Sequence, residues 1–182
     1  MIYEPSDDSF LIAEQLKKIA KGKSVLDIGS GSGILAKTAI NAGASFVLAG
    51  DISEESVRFL KRNGINAIKS NLFSKIRKKF DIIVFNPPYL PEDKREDKES
   101  RSITTGGKRG DELILKFLRS AKKHLNEEGI VLLVLSSLTP RDRINRLLKK
   151  LNFSIKKLAE KSFFMEKIFV FKIKEEKHSL SQ

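Results

Sequence analysis

The sequence predicts an α/β fold with a doubly wound, mostly parallel sheet of seven strands, the last of which is antiparallel. Over most of the 182 residues, short runs of β-branched and apolar residues alternate with longer segments of helical spacing. This alternation is typical of parallel strands joined by crossover helices. Two apolar runs near the end of the chain, Phe153–Leu158 and Phe163–Ile173, are separated by a tight connection and predict an antiparallel pair. We expect a single domain over residues 1–174 and a frayed tail over residues 175–182.

The helices are predicted from apolar spacing and from residues that suit helix ends. The first begins near Ser6–Ser9 and ends before Gly22, and the others run over 34–42, 53–63, 111–124 and 140–151. Ser53 is suited to cap the third helix, and Gly43 and Gly64 are suited to end the second and third.

The remaining strands are predicted from short apolar runs. They are Ser24–Ile28, Phe46–Gly50, Ala67–Ile68, Asp81–Phe85 and Ile130–Leu135. Residues 90–110 interrupt the pattern with a polar stretch that is rich in both charges and contains three glycines. Loops of this length in compact domains are usually functional or disordered, so we expect a long mobile loop.

The composition excludes several kinds of chemistry. There is no cysteine, which excludes disulfides, Cys-ligated metal sites and thiol catalysis. The two histidines, His124 and His178, are far apart in sequence, and no metal site is expected. The longest aliphatic run, Ile130–Leu135, is too short to cross a bilayer. The acidic start of the chain lacks the basic residues of a signal peptide, so we expect a cytoplasmic protein without membrane association.

The net charge of +12, from 35 basic and 23 acidic residues, admits two interpretations. Such a surplus attracts polyanions, which keeps nucleic acid among the candidate partners. Alternatively, a lysine-rich chain without cysteine is typical of a heat-adapted organism with a heavily charged surface. The charge does not by itself decide between them.

A glycine-rich turn after the first strand indicates a cofactor-binding end of the sheet. Asp27-Ile28 leads into Gly29-Ser30-Gly31-Ser32-Gly33, where small residues let the backbone approach a ligand and the next helix offers unpaired N–H groups. A dinucleotide fingerprint would need its third glycine at Ile34. The spacing instead resembles the first motif of class I S-adenosylmethionine methyltransferases. Asp51, at the end of the second strand, is placed to accept ribose hydroxyls in either family. The alternative is an ordinary tight strand-to-helix turn.

Asn86-Pro87-Pro88-Tyr89 follows an apolar strand directly and is the strongest functional signal in the chain. Open α/β sheets bind ligands at the carboxyl ends of their strands. The Asn86 side-chain oxygen and the Pro87 carbonyl can together accept both hydrogens of a planar NH₂ group, and Tyr89 offers a flat face for that group. Such a nitrogen is a poor nucleophile because its lone pair is delocalised. Orienting it toward the methyl group of a sulfonium ion would catalyse transfer by positioning, and no dedicated base is required. The alternative is a rigid turn.

These motifs together resemble the methyltransferases that act on amide or exocyclic base nitrogens. The opening stretch Tyr3-Glu4-Pro5-Ser6-Asp7-Asp8-Ser9-Phe10-Leu11 resembles that of the HemK-type protein-glutamine methyltransferases, especially their short archaeal and eukaryotic branch. Thr105–Gly110, followed by an acid, resembles the G-G-x-x-G stretch that follows N-P-P-Y in the same family. The similarity extends over nearly the whole chain.

The resemblance implies transfer of a methyl group from S-adenosylmethionine to the glutamine amide in the Gly-Gly-Gln loop of a class I translation release factor. By motif position, the cofactor-binding residues would be Ser9, Asp27, Gly29, Gly31, Gly33, Asp51, Asn71, Leu72 and Asn86. The substrate amide would be held by Asn86, Pro87, Pro88 and Tyr89, of which Asn86, Pro87 and Tyr89 would be catalytic. Asn71 stands where the family more often has an aspartate beside the adenine.

The short branch also works with a small zinc-binding activator protein that covers an apolar edge of the sheet. Phe46-Val47-Leu48 and the stretch Ile65–Ile68 are candidates for that edge. The alternative is that these residues belong to the core.

Two other functions fit parts of the sequence. A nucleic-acid methyltransferase acting on adenine N6 or guanine N2 would use the same tetrapeptide, because a flipped base presents the same planar NH₂ group. The nearly neutral composition of residues 92–101, close to the chemistry, argues against a phosphate-binding groove. A non-catalytic S-adenosylmethionine-binding subunit would have no need of the tetrapeptide.

Overall fold

Seven strands form one sheet in the computed structural model, which describes residues 5–90 and 105–176. The helices are α1 (Asp7–Lys17), α2 (Ile34–Asn41), α3 (Glu54–Arg62), α4 (Glu112–Ala121) and α5 (Asp142–Lys150), and a 3₁₀ turn over Lys122–His124 extends α4. The strands are β1 (Ser24–Ile28), β2 (Phe46–Asp51), β3 (Ala67–Lys69), β4 (Phe80–Phe85), β5 (Leu125–Ser136), β6 (Phe153–Ser162) and β7 (Lys167–Glu175).

The strand order is β3-β2-β1-β4-β5-β7-β6. Strands β1 to β5 pair in parallel, whereas β7 is antiparallel to both β5 and β6. The order reverses between β1 and β4, which leaves a crevice at their carboxyl ends where ligands bind in sheets of this kind. The predicted doubly wound sheet with an antiparallel last strand is therefore confirmed.

The core consists of two layers, one on each face of the sheet. Alternate residues of the central strands separate them: Val84 belongs to the layer that includes residues of α1, α2 and α3, whereas Phe85 belongs to the layer that includes residues of α4 and α5. Leu16 and Phe117, fully buried on opposite faces, are among the largest side chains in these layers. Because both faces of the sheet are covered, the central strands are continuously apolar, as the sequence pattern predicted.

Three strand boundaries differ from the prediction by four residues or more. Strand β6 runs to Ser162 rather than ending at Leu158. Strand β5 begins at Leu125 rather than Ile130, because Leu125 already pairs with Phe80 of β4 before a register shift. Strand β7 begins at Lys167 rather than Phe163. Residues 163–166 form the hairpin connection, closed by a hydrogen bond from the Phe163 N–H to the Glu166 carbonyl (2.7 Å).

The last strand extends one residue into the predicted tail. Strand β7 continues to Glu175, and the Glu176 N–H donates to the Asn152 carbonyl (2.9 Å). Residues 177–182 of the predicted tail, with His178, lie outside the described residues, as do Tyr3 and Glu4 and the segment 91–104 of the predicted loop. Within the described ranges, no helix is both long and apolar enough to span a membrane.

Candidate active site

A cavity of about 400 Å³ opens at the carboxyl ends of β1, β2 and β4. Gly29 and Gly31 line it after β1, Asp51 lines it at the end of β2, and Asn86–Tyr89 line it after β4. Asn71 and Leu72, from the segment after β3, complete the set of predicted residues at the cavity wall. The topology thus brings together the carboxyl ends of three strands, as predicted.

The glycine turn depends on backbone conformations that favour glycine. Gly29, Gly31 and Gly33 have φ angles of 68°, 50° and 78°, in the left-handed region where a side chain is strained. A Cβ atom at Gly33 would also lie 2.3 Å from Cδ2 of Leu60. Gly33 does not line the cavity. The absence of a side chain at Gly33 allows the close packing of α2 against α3, and its predicted contact with a cofactor stays a prediction.

Asp51 fixes the turn from the neighbouring strand. Its Oδ2 accepts a hydrogen bond from the Gly31 N–H (2.8 Å), and its Oδ1 accepts one from the Ser53 N–H (2.8 Å). The carboxylate is buried but still lines the cavity. Since each carboxylate oxygen has more than one lone pair, both can accept further hydrogen bonds from a ligand.

Asp27 lies beneath the glycine turn, outside the cavity lining. Its Oδ2 accepts from the Ala36 N–H (3.1 Å), whereas its Oδ1 is buried without a hydrogen-bond partner in the described part of the chain. Burial raises the pKa of Asp27 to about 7, with a further contribution from the negative charge of Asp51. The side chain supports the turn and the start of α2, and its predicted role in cofactor binding stays a prediction.

The raised pKa makes stability depend on pH. The pKa of Asp27 in the unfolded chain is near 3.8, so between about pH 4 and pH 7 the unfolded state releases a proton that the native state retains. We expect the free energy of unfolding to fall across that range, by at most roughly 1.4 kcal/mol per pH unit from this group, and to level off above it. Urea unfolding at a series of pH values measures the slope.

The matched variants for this prediction are Asp27→Asn and Asp81→Asn. Asp27→Asn should remove the slope, whereas Asp81→Asn should retain it, because hydrogen bonds from Ser24 and Asn126 hold the pKa of Asp81 below its usual value despite some desolvation. Parallel pH profiles for wild type and Asp27→Asn would show that Asp27 is not the source.

The N-P-P-Y segment is held by the first turn of α1. The Asn86 Nδ2 donates to the Ser9 Oγ (3.3 Å), and the Ser9 Oγ donates to the Asp8 Oδ1 (3.1 Å). The Tyr89 hydroxyl donates to the other carboxylate oxygen of Asp8 (3.0 Å). Asp8 is thus the shared anchor of Asn86 and Tyr89, although they lie about eighty residues away in sequence.

The Asn86 side-chain oxygen is the most informative atom of the site. The hydrogen bond to Ser9 engages the amide nitrogen, and Asn86 itself lines the cavity. The Oδ1 atom is buried and has no hydrogen-bond partner within residues 5–90 and 105–176. A buried acceptor without a partner is costly in a folded protein, and a ligand N–H is a suitable partner.

A second glycine stretch supports the tetrapeptide from outside. The Gly106 N–H donates to the Leu90 carbonyl (2.9 Å), and Leu90 forms an isolated parallel bridge with Thr105. A Cβ atom at Gly106 would lie 2.7 Å from the Pro88 carbonyl oxygen and 2.4 Å from that of Gly110. Because these are backbone atoms, no side-chain movement could make room for it.

Several residues at the cavity were not predicted from the sequence. Asp8 lines it, as do the apolar residues Ile28, Ile52, Phe85, Leu90 and Leu113 and the serines Ser53, Ser56 and Ser70. Ile52 is 65% exposed in the structure. The signal available in the sequence is only its position directly after Asp51. Ser9 was predicted as a site residue but does not line the cavity. It is hydrogen-bonded to two residues that do, Asp8 and Asn86.

The switch-point cavity, the glycine turn and the N-P-P-Y segment define a class I methyltransferase. The chain matches the model of the methyltransferase small domain over residues 6–165, and it belongs to that family. This confirms the resemblance drawn from its motifs.

The chain is also similar to individual methyltransferases. A Methanocaldococcus jannaschii protein named provisionally as a protein N5-glutamine methyltransferase is 35% identical over 178 residues, covering 93% of this chain and 89% of that protein. The E. cuniculi Mtq2–Trm112 complex, described as methylating the eRF1 termination factor, matches with a TM-score of 0.78 and 21% identity, over 96% of this chain and 99% of that one. The T. thermophilus 16S rRNA methyltransferase RsmC, solved with AdoMet and guanosine, matches with a TM-score of 0.69 and 21% identity, over 95% of this chain and 44% of that one.

Proposed function

We propose that the protein transfers a methyl group from S-adenosylmethionine to the side-chain amide nitrogen of a glutamine, in the Gly-Gly-Gln loop of a class I release factor. The observation that carries the proposal is the buried Asn86 Oδ1, which has no partner in the described residues. An acceptor in this position, next to two prolines that lack N–H groups, suits a ligand with two N–H bonds to donate.

The residues at the cavity fit S-adenosylmethionine. The Asp51 carboxylate can accept from the ribose hydroxyls, and the glycine turn lets the backbone of Gly29 and Gly31 approach the ligand. Asn71 and Leu72 line the far side of the cavity, where the adenine would lie. When bound, the cofactor supplies an electrophilic methyl group on a sulfonium sulfur.

The chain itself contributes position and electrostatics. The Asn86 Oδ1 and the Pro87 carbonyl accept the two N–H bonds of the substrate amide, and this fixes the direction of its nitrogen. Tyr89 is held by Asp8 and by a hydrogen bond from the Thr139 Oγ1 to its carbonyl (3.2 Å), so its ring can serve as a fixed wall for the planar group. Both acceptors also stabilise the positive charge that develops on the nitrogen. As that nitrogen becomes acidic, its proton can leave to water, and no base is required.

A protein acceptor is favoured over a nucleic acid. None of the described residues that line the cavity is a lysine or an arginine, so the +12 charge is not concentrated where a flipped base and its phosphates would lie. The relative of M. jannaschii and the complex of E. cuniculi also carry names that specify protein acceptors. Release factors act in translation, which is consistent with the cytoplasmic location that we propose.

We further propose that a small activator protein, of the zinc-binding type expected for the short branch, covers the β3 edge. Strand β3 pairs only with β2 among the described strands. Phe46, Leu48 and Ile68 lie half-buried on one face at this edge, whereas Val47 and Ile65 are buried in the core. Of the five large apolar residues at the predicted edge, two belong to the core. The other three are partly exposed and can contact a partner.

The substitution Gly106→Ala tests the support of the tetrapeptide. A methyl group in backbone contact with Pro88 and Gly110 should displace the Asn86–Tyr89 segment and lower kcat/KM for methyl transfer by about tenfold, at a stability cost of roughly 1–3 kcal/mol. The control is Gly22→Ala, where φ is also positive (+70°) but nothing lies within 4 Å of the added atom. That control should lose stability alone; equal activities for the two variants would contradict the prediction.

The proposed function is tested by a transfer assay with labelled S-adenosylmethionine. The acceptors are an intact archaeal-type release factor, its Gln→Ala loop variant, total RNA and total DNA, each with and without an activator protein. Label on the intact factor alone supports the proposal. Label on nucleic acid alone would instead identify a base methyltransferase, and label on the Gln→Ala variant would exclude the loop glutamine.

A further inference from the structure

The tip of the β6–β7 hairpin exposes three large apolar side chains in succession. Phe163 is 40% exposed, Met165 81%, and Phe164 is fully exposed. They occupy the connection that the sequence suggested would be strand, so no neighbouring strand covers them. Exposed apolar clusters of this kind usually mark interaction surfaces.

The hairpin tip lies at the same edge of the sheet as the active site. Strand β7 runs antiparallel to β5, so its first residues meet the carboxyl end of β5, with Ser136 opposite Ile168. The Ser137 N–H donates to the Lys167 carbonyl (2.8 Å), and the Ser136 hydroxyl donates to the Glu166 carboxylate.

Two sets of contacts connect the hairpin to the N-P-P-Y segment. On one side, the Thr139 N–H donates to the Ser136 carbonyl (3.1 Å), while the Thr139 Oγ1 donates to the Tyr89 carbonyl (3.2 Å). On the other side, the Lys161 ammonium pairs with Asp7 (2.8 Å). Asp7 directly precedes Asp8 and Ser9, which hold Tyr89 and Asn86. The base of the hairpin is therefore attached to the elements that position the substrate amide.

Two further exposed apolar residues adjoin the hairpin. Leu138, 50% exposed, follows Ser136, whose hydroxyl accepts from the Leu138 N–H (3.0 Å). Phe10, 53% exposed, lies three residues after Asp7 and so shares a face of α1 with it. We name Phe10, Leu138, Phe163, Phe164 and Met165 the apolar rim.

The distribution of exposed apolar residues is strongly asymmetric. Among the described residues, the large hydrophobic side chains that are exposed number seven, and five of them form the apolar rim. A sixth, Ile52, lines the cavity, and only Ile40 is found elsewhere, near the C-terminal end of α2 at the opposite edge of the sheet. Exposed apolar surface is thus concentrated around the active site.

We propose that the apolar rim docks the folded protein that carries the acceptor glutamine, through an apolar patch beside its glutamine loop. This inference rests on the proposed function, because a folded acceptor must contact the surface around the cavity when its loop enters. A second copy of this chain is a poorer occupant, since it would cover the entrance that the substrate needs.

The charges around the rim favour a protein over a nucleic acid. Lys161 is paired with Asp7, Lys157 is paired with Glu160, and Glu166 is bonded to Ser136. Lys167 is exposed beside the tip without an ion pair among the described contacts, but one lysine does not form a cationic track along a phosphate chain. An aromatic surface that stacks on bases is normally accompanied by free cations that follow the phosphates. The aliphatic Leu138 and Met165 add area suited to a protein surface.

The test uses the double variant Phe164→Ser/Met165→Ser, with Ile40→Ser as the matched control. Both alter exposed side chains, so neither should change the fold. With the intact release factor, the double variant should raise KM on the order of tenfold at unchanged kcat. With a short peptide of the Gly-Gly-Gln loop, its kcat/KM should equal that of wild type. Ile40→Ser should match wild type on both acceptors.

Four outcomes would overturn the inference. For the double variant, the first is an unchanged KM with the intact factor, and the second is an equal loss of kcat/KM with the peptide. The third is a loss of RNA binding without a change in methylation of the factor, and the fourth is a change from dimer to monomer in solution. Calorimetric binding of the intact factor answers the question even in the absence of transfer: about tenfold weaker binding by the double variant is expected, and equal affinity would overturn it. Absence of transfer by the wild-type enzyme, with or without activator, counts against the proposed function and not against the rim.

Discussion

Replacement of Asn86 by alanine is expected to lower the rate of methyl transfer by about 100- to 1,000-fold while changing the Kd for S-adenosylmethionine by only a few fold. The magnitude is typical of the loss of one preorganised hydrogen-bonding group from an active site. Asn86 presents a buried acceptor without a partner in the described chain, and the substitution removes one of the two groups proposed to hold the amide. The measurements are single-turnover transfer to the release factor and calorimetric cofactor binding.

Two companion variants sharpen this expectation. Ser9→Ala removes the acceptor of the Asn86 Nδ2 hydrogen bond and leaves the Asn86 oxygen present but less well oriented, so a smaller loss of about tenfold is expected. Asn145→Ala changes an exposed asparagine of α5 and should be silent. Unchanged turnover of Asn86→Ala, or an equally large loss of cofactor binding, would contradict the proposed clamp.

Replacement of Asp51 by alanine is expected to weaken cofactor binding by about 10- to 100-fold. The carboxylate accepts from the Gly31 and Ser53 N–H groups, and hydrogen bonds to a charged group contribute roughly 1.5–3 kcal/mol each. Its loss releases the glycine turn and removes the acceptor proposed for the ribose. Calorimetry with S-adenosylmethionine measures the effect.

The control variants for Asp51 separate binding from folding. Asp51→Asn retains one acceptor oxygen and should lie between wild type and Asp51→Ala. Asp142→Ala removes an exposed acid in the first turn of α5 and should leave the affinity unchanged. If Asp51→Ala binds the cofactor as tightly as wild type, the turn does not depend on this carboxylate.

Local sequence patterns were sufficient to predict the sheet and half of the residues that line the cavity. Apolar runs and glycine stops predicted every strand, because the central strands are buried on both faces. The glycine turn and N-P-P-Y were predicted at the cavity since carboxyl ends of parallel strands share one edge. Ser53 caps α3 through a hydrogen bond from the Ser56 N–H, as predicted.

Contacts between distant segments were not predictable in the same way. Asp8 binds Tyr89 across 81 positions, and no local pattern relates the first helix to the loop after β4. The Phe163–Met165 stretch continues the apolar run of β7, so hydrophobicity alone extends the strand through what is a hairpin tip. Asp27 and Gly33 belong to the predicted motif, but neither lines the cavity: Asp27 lies beneath the turn, and Gly33 lies at its end, where α2 begins. A sequence motif cannot distinguish a residue that contacts the ligand from one that supports the turn.

The central claim is that the acceptor is a glutamine side-chain amide, and mass spectrometry of the methylated release factor tests it most directly. The intact factor is incubated with S-adenosylmethionine and either wild-type enzyme or Asn86→Ala, with activator present, and the loop peptide is then fragmented. We expect one added methyl group on the side-chain nitrogen of the glutamine in the Gly-Gly-Gln loop, with wild-type enzyme only. A methyl group on another residue, or on RNA in the same reaction while the loop stays unmodified, would contradict it.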